Sequence, residues 1–338
     1  MHSSTLNGPK RRHEPPDYIL AELQNCRNKW DHFTKTKDKI IKEFALMGAS
    51  GRVGRLIAST WANRDSHWHT VPLQYRCPRT LFHSRNIPWD VADGPDGLLN
   101  WMDRFGALKT LIVMAGVTPA TSSDMTLNTV IAKVYLDAAR VAGIKRVLLA
   151  SSSAVYGFGE GSPMSETHSC APINTYGKSK LDMEAMARNV AADTNMEICC
   201  LRIGNIAGAD ALLLNASKAT PETPLIIDRF PDGAGPLRSY IGPTQAGDVL
   251  AQLACHQGTL PHVLNFAGTA AIHMEELAIA AAIPWRFAMA PQTARQSIAL
   301  DCSVLAALID MPRGTHDAKT ITLDWLGAKR NDSPKTPI

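Results

Sequence analysis

A short apolar run that ends in a glycine-rich turn constrains the fold of this 338-residue chain more than any other feature. Residues 44–47 read Phe-Ala-Leu-Met, and glycines follow at Gly48, Gly51 and Gly54. A buried strand that turns sharply into a helix needs such glycines, because a Cβ would obstruct the turn and the packing of helix on strand. The feature predicts a strand–turn–helix unit at the start of a larger α/β fold.

Strand-like and helix-like patterns alternate after this unit. Apolar runs rich in Val, Ile and Leu indicate buried strands, and the stretches between them have helical periodicity. The expected strands cover residues 70–76, 111–115, 146–150 and 197–202, and the expected helices follow Gly54 and cover 124–141 and 176–193. Such an alternation is typical of a doubly wound parallel sheet, the Rossmann architecture of the α/β class.

The glycine-rich turn is a candidate dinucleotide site. In a βα unit of this kind the N–H groups at the helix start face a pyrophosphate, and glycine lets the backbone approach it. The candidate cofactor-binding residues are Gly48, Ser50, Gly51, Arg52, Val53 and Gly54. A glycine-rich turn can also be a turn alone, but its place at the head of a βα series favours binding.

The residues after the second expected strand bear on the choice of dinucleotide. An NAD site usually has an acidic residue about 20 residues beyond the glycines, where it binds the ribose 2′-hydroxyl. No Asp or Glu occurs between Asp65 and Asp90, whereas Arg52 and Arg76 could pair with a 2′-phosphate. We therefore expect NADP to be preferred, with NAD possible. The alternative is that Arg76 is a solvated loop residue.

A tyrosine and a lysine lie four positions apart at the start of the helix expected at 176–193. Tyr176 and Lys180 share a helix face, which Lys178 does not. A tyrosine has a pKa of about 10, and one cation about 4 Å away supplies roughly the 4 kcal/mol that would bring it near neutrality. Tyr176 is thus a candidate acid/base with Lys180 as its cation, although the same spacing also occurs by chance on many helices.

Three serines, Ser151, Ser152 and Ser153, follow the strand expected at 146–150. The carboxyl end of that strand should lie at the same sheet edge as the glycine-rich turn. A hydroxyl there can hydrogen-bond a reacting oxygen and hold it against Tyr176. The alternative is an ordinary polar strand end.

Three parts of the chain are expected. Residues 1–42 form an N-terminal extension, a tail with a possible helix over 17–42. A dinucleotide-binding Rossmann domain covers 43–210, and 211–330 forms mainly a smaller substrate-binding lobe, with some return to the core. The extension holds nine Lys/Arg and five Asp/Glu, and nine minus five accounts for the whole net charge of +4. The balanced remainder argues against a nucleic-acid partner.

Cysteine usage and hydropathy exclude further classes. The seven cysteines contain no Cys-x-x-Cys pair, so we expect neither a metal site nor a disulfide framework. No apolar run reaches the roughly 20 residues that span a bilayer. With no secretory signal visible, a cytoplasmic protein without a membrane partner is expected.

Taken together, these motifs resemble the extended short-chain dehydrogenase/reductases, the NAD(P)-dependent epimerase/dehydratase family. The resemblance covers about residues 44–270, and its motifs stand in the family's order. They are the glycine turn, Ala115-Gly116, Asn128, Ser151 to Gly157, Glu166 with Pro172, Tyr176 to Lys180, Leu201 to Asn205, and Arg238 to Ile241.

The resemblance implies catalytic roles. Tyr176 would be the acid/base, and Lys180 would lower its pKa and hold the nicotinamide ribose. Ser152 would orient the substrate, because it lies four residues before Tyr156, as the family's serine or threonine does; Ser153 is the less favoured register.

The resemblance also implies binding roles. Ala115 and Gly116 would contact the cofactor. Asn205 and Arg238 match positions that often contact substrate phosphate in nucleotide-sugar members, although Arg238 could instead be a surface arginine. A homodimer is implied through two helices, those expected at 124–141 and 176–193.

Two departures from the family pattern limit the reaction. Dehydratases usually carry an Asp–Glu pair where this chain has Ser153 and Ala154, so dehydration is not expected. The link at 242–248 is longer than usual, which indicates a reshaped substrate lobe.

The expected function is that of an NAD(P)-dependent oxidoreductase or epimerase acting on a hydroxyl or carbonyl carbon, with a nucleotide sugar as the favoured substrate. One alternative is an NADPH-dependent reductase of a non-nucleotide carbonyl compound. Another is a non-catalytic NADP-binding sensor, against which the intact Ser152, Tyr176 and Lys180 count.

Overall fold

The computed structural model describes residues 43–62, 71–75, 86–158, 161–216 and 218–332. The N-terminal extension with its possible helix, and the candidate residue Arg76, lie outside these ranges. Within them, no helix combines the length and the apolar character that crossing a membrane requires.

The described residues form thirteen strands and nine helices. The strands are β1 (Phe44–Met47), β2 (Leu73–Tyr75), β3 (Asn86–Pro88), β4 (Thr110–Val113), β5 (Arg146–Ser152), β6 (Glu197–Ile203), β7 (Asn205–Ile206), β8 (Leu225–Arg229), β9 (Leu237–Ile241), β10 (Val263–Phe266), β11 (Ala271–His273), β12 (Trp285–Met289) and β13 (Ser297–Ile298). The helices are α1 (Arg52–Ala62), α2 (Asp96–Phe105), α3 (Leu127–Val141), α4 (Thr175–Asp193), α5 (Ala211–Ala216), α6 (Pro243–Ala254), α7 (Met274–Ala280), α8 (Ser303–Leu308) and α9 (Ala318–Asp332).

Seven strands form one parallel sheet in the order β10-β6-β5-β4-β1-β2-β3. Successive side chains of β1 enter different cores, as the strand period of two requires. Phe44 and Leu46 pack in a cluster with α1 and α6. Ala45 and Met47 pack in a second cluster with α2, α3 and α4. The expected doubly wound α/β fold is therefore confirmed.

Two smaller sheets are formed by strands that all come after β6 in the chain. β9 pairs with β7, β11 and β13, while β8 and β12 form a two-stranded parallel sheet. A separate apolar cluster, which includes Tyr240 and Trp325, packs these strands against α5, α7 and α9. The last strand of the large sheet, β10, also comes from the range 211–330 that we assigned mainly to the substrate lobe.

Several boundaries differ from the sequence expectations. β4 ends at Val113, so that Ala115 and Gly116 lie in the loop beyond it, and β5 extends to Ser152. Helix α1 begins two residues before Gly54. The sequence did not predict β3 or β10, because strands of three or four residues carry too few positions to show a period. The ten-residue helix α2 was also not predicted.

Candidate active site

The glycine turn between β1 and α1 has the geometry that its sequence predicts. Gly48 has a φ of 79°, and a Cβ there would lie 2.7 Å from the Ala115 nitrogen. A Cβ on Gly54 would overlap the Gly48 carbonyl oxygen. The residues at the helix start are exposed or half-buried, namely Ser50, Gly51, Arg52 and Val53. The turn therefore presents an accessible helix amino terminus, which suits the pyrophosphate of a dinucleotide.

Gln74, the middle residue of β2, hydrogen-bonds the glycine turn. Its Oε1 accepts hydrogen bonds from the Gly48 nitrogen (2.9 Å) and from the Tyr135 hydroxyl (2.8 Å). Its Nε2 donates to the Trp89 carbonyl oxygen at 2.5 Å, and the residue is 3% exposed. Sequence reasoning missed this role. The available signal was a glutamine about 20 residues beyond the glycines, where an NAD site usually has an acidic residue.

The loop after β4 approaches the same edge of the sheet. A Cβ on Gly116 would lie 3.2 Å from the Lys180 Nζ and 2.9 Å from the Asn128 Oδ1. Asn128, which is 1% exposed, holds this loop by accepting from the Val117 nitrogen and donating to the Val117 oxygen. The loop can thus pass close to Lys180 because residue 116 has no side chain.

Lys180 is a buried cation. It is 4% exposed, and its Nζ donates to the Ala150 carbonyl oxygen at 2.9 Å. Burial lowers the pKa of Lys180 to about 8, while Cys200 and Glu184 act in the opposite direction. The Nζ lies 6.0 Å from the centroid of the Tyr176 ring. The lysine and the tyrosine therefore share a helix face, as the spacing predicted, without forming a direct hydrogen bond.

Tyr176 stands in the first turn of α4. The Asn174 side chain caps that helix by accepting from the Gly177 nitrogen at 2.8 Å. Burial raises the pKa of Tyr176, and a hydrogen bond with the Ser152 side chain lowers it in part. Burial is the larger of these two effects, so the pKa of Tyr176 is raised overall, whereas we expected from the sequence that Lys180 would lower it.

A cavity of about 180 Å³ opens beside this pair. Its lining combines polar side chains with a small apolar wall: Ser153, Ala154, Gly157, Ile173, Asn174, Gly204, Asn205, Arg238, Ser239, Ile298 and Leu300. Three candidate substrate residues, Ser153, Asn205 and Arg238, are therefore brought together. The fourth, Ser152, lies at the end of β5 and contacts Tyr176.

The Arg238 guanidinium is held by the protein backbone. Its Nη1 donates to the carbonyl oxygens of Leu237 (2.8 Å) and Gln296 (2.6 Å), and its Nη2 donates to that of Arg295 (2.8 Å). None of these hydrogen bonds to the described residues uses the Nε–H. The cation is thus fixed in place while one edge can still bind an anion.

Asn205 is oriented by a polar chain that sequence reasoning missed. Its side chain hydrogen-bonds Tyr240, whose hydroxyl donates to the Asp210 Oδ1 at 3.2 Å. Burial raises the pKa of Asp210, whose carboxylate also accepts from the nitrogens of Gly208, Leu212 and Leu213.

The remaining candidates are placed as follows. Arg52 is exposed and its Nη1 donates to the Ala209 carbonyl oxygen at 3.2 Å, so it bridges the glycine turn and the segment after β7. Among the described residues, no group of three or more His, Cys, Asp or Glu side chains could hold a metal ion.

Comparison with known proteins gives a family. The model of the NAD dependent epimerase/dehydratase family matches residues 45–237. A UDP-glucose 4-epimerase of Azospirillum brasilense is 42% identical over 83 residues, which are 25% of this chain and 24% of that protein. The chain thus spans about a quarter of the length of this curated relative.

Solved structures share the fold. MoeE5 in complex with UDP-glucose and NAD is similar with a TM-score of 0.66 at 21% identity, covering 85% of this chain and 99% of that one. The UDP-Glc/GlcNAc 4-epimerase of Campylobacter jejuni has a TM-score of 0.67 at 18% identity, with the same coverage. The resemblance drawn from the sequence, and with it the expectation of an enzyme, is confirmed at the level of the family. Because the family model covers more than half of the chain, this protein belongs to the NAD dependent epimerase/dehydratase family.

Proposed function

We propose that the protein is an NAD(P)-dependent epimerase of a nucleotide sugar, with Tyr176 as its acid/base. The observation that carries the proposal is the close approach of Lys180, the loop at Gly116 and the glycine turn at one sheet edge, where Ser152 lies beside Tyr176. The phenol of Tyr176, the hydroxyl of Ser152 and the ammonium of Lys180 together suit proton transfer to or from the oxygen of an alcohol or a carbonyl group.

Each residue has a distinct task in this proposal. Tyr176 removes the proton of the substrate hydroxyl, and Ser152 hydrogen-bonds the same oxygen to hold it in line. Lys180 supplies positive charge beside the reacting oxygen. A bound nicotinamide would accept the hydride and return it to the opposite face of the same carbon, and when oxidised it would add positive charge. In an epimerisation Tyr176 would give the proton back to the same oxygen, so that atoms and electrons balance without another reactant.

The cavity supports an anionic substrate. Arg238 offers an oriented guanidinium edge, and Asn205 and Ser153 offer polar groups on the same wall. A diphosphate held at Arg238 would place its sugar towards Ser152 and Tyr176. UDP-sugars are the first class to test, because the sequence relative is a UDP-glucose 4-epimerase and MoeE5 was solved with UDP-glucose.

The cofactor preference stays a prediction. The described residues of β2 include no acid that could bind a ribose 2′-hydroxyl. Gln74 in the middle of the strand is uncharged, and its amide is hydrogen-bonded to Gly48, Tyr135 and Trp89. This favours NADP, whereas the related structures hold NAD and give NADP no support. Equilibrium titration of both dinucleotides decides the point, and tighter NAD binding would overturn the NADP preference.

A homodimer is a further part of the proposal. Helices α3 and α4 pack side by side, and Val130 and Val141 of α3 are 54% and 52% exposed. Two such faces would cover these valines in a two-fold contact. Sedimentation velocity of the protein and of a Val130→Lys variant tests this, and a wild-type monomer at micromolar concentration would rule the dimer out.

The catalytic proposal is tested by a product assay. The protein is incubated with NAD or NADP and with UDP-glucose, UDP-N-acetylglucosamine or UDP-glucuronic acid, and the epimeric product is separated by chromatography. Conversion without net cofactor reduction supports an epimerase. Consumption of NADPH with a simple carbonyl substrate, and none with nucleotide sugars, would instead favour the reductase. Cofactor binding without any turnover would favour the sensor.

A further inference from the structure

The end of β5 and the start of α4 are connected residue by residue. The Ala150 oxygen accepts from the Lys180 Nζ, and the Ser152 side chain hydrogen-bonds Tyr176. Between these two, the Ser151 Oγ donates to the Glu184 Oε1 at 2.5 Å. Three consecutive strand residues thus hold three helix residues that lie one turn apart, since positions four apart share a helix face.

Glu184 is itself held in a buried ion pair. The Arg202 Nη2 donates to its Oε2 at 2.7 Å, and the Arg202 Nε lies 3.1 and 3.2 Å from its two oxygens. The side chains of Arg202 and Glu184 are 5% and 4% exposed. Groups this deeply buried are stable as ions only when their hydrogen bonds are satisfied, and Ser151 and Arg202 satisfy the carboxylate.

The charge of Glu184 acts on Lys180 one helical turn away. No described carboxylate forms an ion pair with Lys180, whose ammonium is buried against the Ala150 oxygen. Cys200 and Glu184 both favour the protonated lysine. Burial raises the pKa of the Cys200 thiol well above its usual range, so this thiol carries no charge at pH 7 that could favour the ammonium. Glu184, by contrast, is held in the ion pair with Arg202.

We propose that Glu184 is a positioning residue for the Tyr176–Lys180 pair, which it keeps in register with the end of β5 and whose lysine it keeps protonated. The proposal rests on the proposed function for its catalytic meaning. Its structural content is a carboxylate that is buried between Ser151 and Arg202, one helical turn from Lys180.

Other titratable groups surround this carboxylate. From the β5 side, the Tyr156 hydroxyl accepts from the Arg202 Nη1 at 3.0 Å. Cys170 lies near Arg202 and Glu184, and burial raises the pKa of its thiol. The His262 Nε2 is 3.2 Å from the Glu184 carbonyl oxygen. The Glu166 carboxylate accepts from the Asn265 nitrogen, away from Lys180. None of these replaces the charge that a Glu184→Gln substitution removes.

The direct test is the titration of Lys180 in the full chain with dinucleotide bound. In protein labelled with 13C-lysine, the 13Cε resonance of Lys180 is assigned by its loss in Lys180→Arg and followed against pH. Glu184→Gln is expected to move the titration midpoint downwards by roughly one unit. An unchanged midpoint in a folded variant would overturn the proposal.

A matched control lies at the other end of the same strands. Glu197 pairs with Arg146 across the first residues of β5 and β6. Arg202 lies five residues beyond Glu197 on β6, about 17 Å along the strand. Glu197→Gln is expected to leave the Lys180 midpoint unchanged, and an equal shift in both variants would show a global effect and contradict the proposal.

A double variant keeps the test informative if Glu184→Gln folds poorly. Glu184→Gln with Arg202→Met removes the buried cation that the single change leaves unpaired. We expect its Tm to recover towards that of the wild type while the Lys180 midpoint stays lowered. Recovery of both together would mean that Glu184 acts through folding alone.

Turnover separates this proposal from the proposed function. With an active sugar, Glu184→Gln is expected to lower kcat while the KM of the sugar is unchanged, because Glu184 lies outside the cavity lining. A raised KM with an unchanged kcat would contradict a positioning role. If the wild type turns over no sugar at all, the proposed function fails while the Lys180 titration still decides the role of Glu184.

Discussion

A glutamate–arginine pair lies at each end of the neighbouring strands β5 and β6. Arg146 and Glu197 belong to the strands themselves, whereas Arg202 of β6 pairs with Glu184 of helix α4. At the amino ends, the Arg146 Nε lies 2.5 Å from the Glu197 Oε1, with side chains 13% and 23% exposed. At the carboxyl ends, Arg202 and Glu184 are 5% and 4% exposed. The first pair contacts backbone carbonyl oxygens, and the second contacts Ser151, which lies next to the proposed catalytic residue Ser152.

The partners of each pair explain the difference. Arg146 also donates to the carbonyl oxygens of Leu253, His256 and Gly258, so it ties the sheet to the turn after α6. Its charge can be lost at modest cost, because partly exposed ion pairs contribute little. Arg202 and Glu184 are fully desolvated, so removing either partner leaves a buried charge. The same residue types therefore have two tasks. At the amino edge Arg146 attaches the sheet to the turn after α6, and at the carboxyl edge, where ligands bind in such sheets, Arg202 and Glu184 form a buried ion pair.

Lys180→Met should give the largest effect at the carboxyl edge. Loss of the buried cation is expected to lower kcat/KM by roughly 10²- to 10⁴-fold, the range for positioned proton-transfer groups. The Tm should be nearly unchanged, because relief of a buried charge offsets the lost hydrogen bond to Ala150. Steady-state kinetics and calorimetry measure the two effects. Unchanged turnover would remove Lys180 from the site.

Gly54→Ala should lower both stability and cofactor binding, because it disturbs the packing of α1 on β1. A Cβ there overlaps the Gly48 carbonyl oxygen, so we expect a loss of roughly 1–3 kcal/mol in the free energy of unfolding and weaker dinucleotide binding. Gly143→Ala is the control, because its Cβ meets nothing within 4 Å although its φ is 69°. Equal dinucleotide affinities in the two variants would show that the turn does not hold the cofactor.

The pH dependence of kcat/KM should reflect the titration of Lys180 at the carboxyl edge. The pKa of Lys180 is lowered by burial to about 8, so the cation is present below that pH and lost above it. We expect kcat/KM to fall above pH 8 by about tenfold per unit. Glu197→Gln should leave this limb in place. A wild-type limb that begins only near pH 10 would mean that Lys180 is not the titrating group.

The smallest effect is expected at the amino edge. Glu197→Gln should change the free energy of unfolding by less than about 1 kcal/mol, because the pair is partly exposed. Its turnover and dinucleotide affinity should equal those of the wild type. A loss of activity without a loss of stability would contradict the claim that only the pair at the carboxyl edge affects catalysis.

Much of the fold was predictable because it depends on local patterns. A glycine turn after an apolar run and the alternation of strands with helices indicated the doubly wound sheet. The strand β3, with three residues ending in a proline, and β10, in a region of irregular pattern, offer too little periodicity for such reasoning.

The site was predictable where spacing along one element decides the geometry. Tyr176 and Lys180 share a helix face because they lie four residues apart. Glu184 lies on the same face of α4, but its partner Arg202 belongs to strand β6. The sequence alone does not indicate that these two side chains meet. The pKa of Tyr176 also depends on burial, a tertiary property that raises it and that a Coulomb estimate from Lys180 alone does not include.

One measurement tests the central claim most directly, namely turnover and dinucleotide binding in Tyr176→Phe with an active nucleotide sugar. Phenylalanine keeps the ring and removes the hydroxyl that Ser152 contacts. We expect kcat to fall by roughly 10²- to 10⁴-fold while the dinucleotide dissociation constant is unchanged. A variant that retains wild-type turnover would contradict the assignment of Tyr176 as the proton carrier.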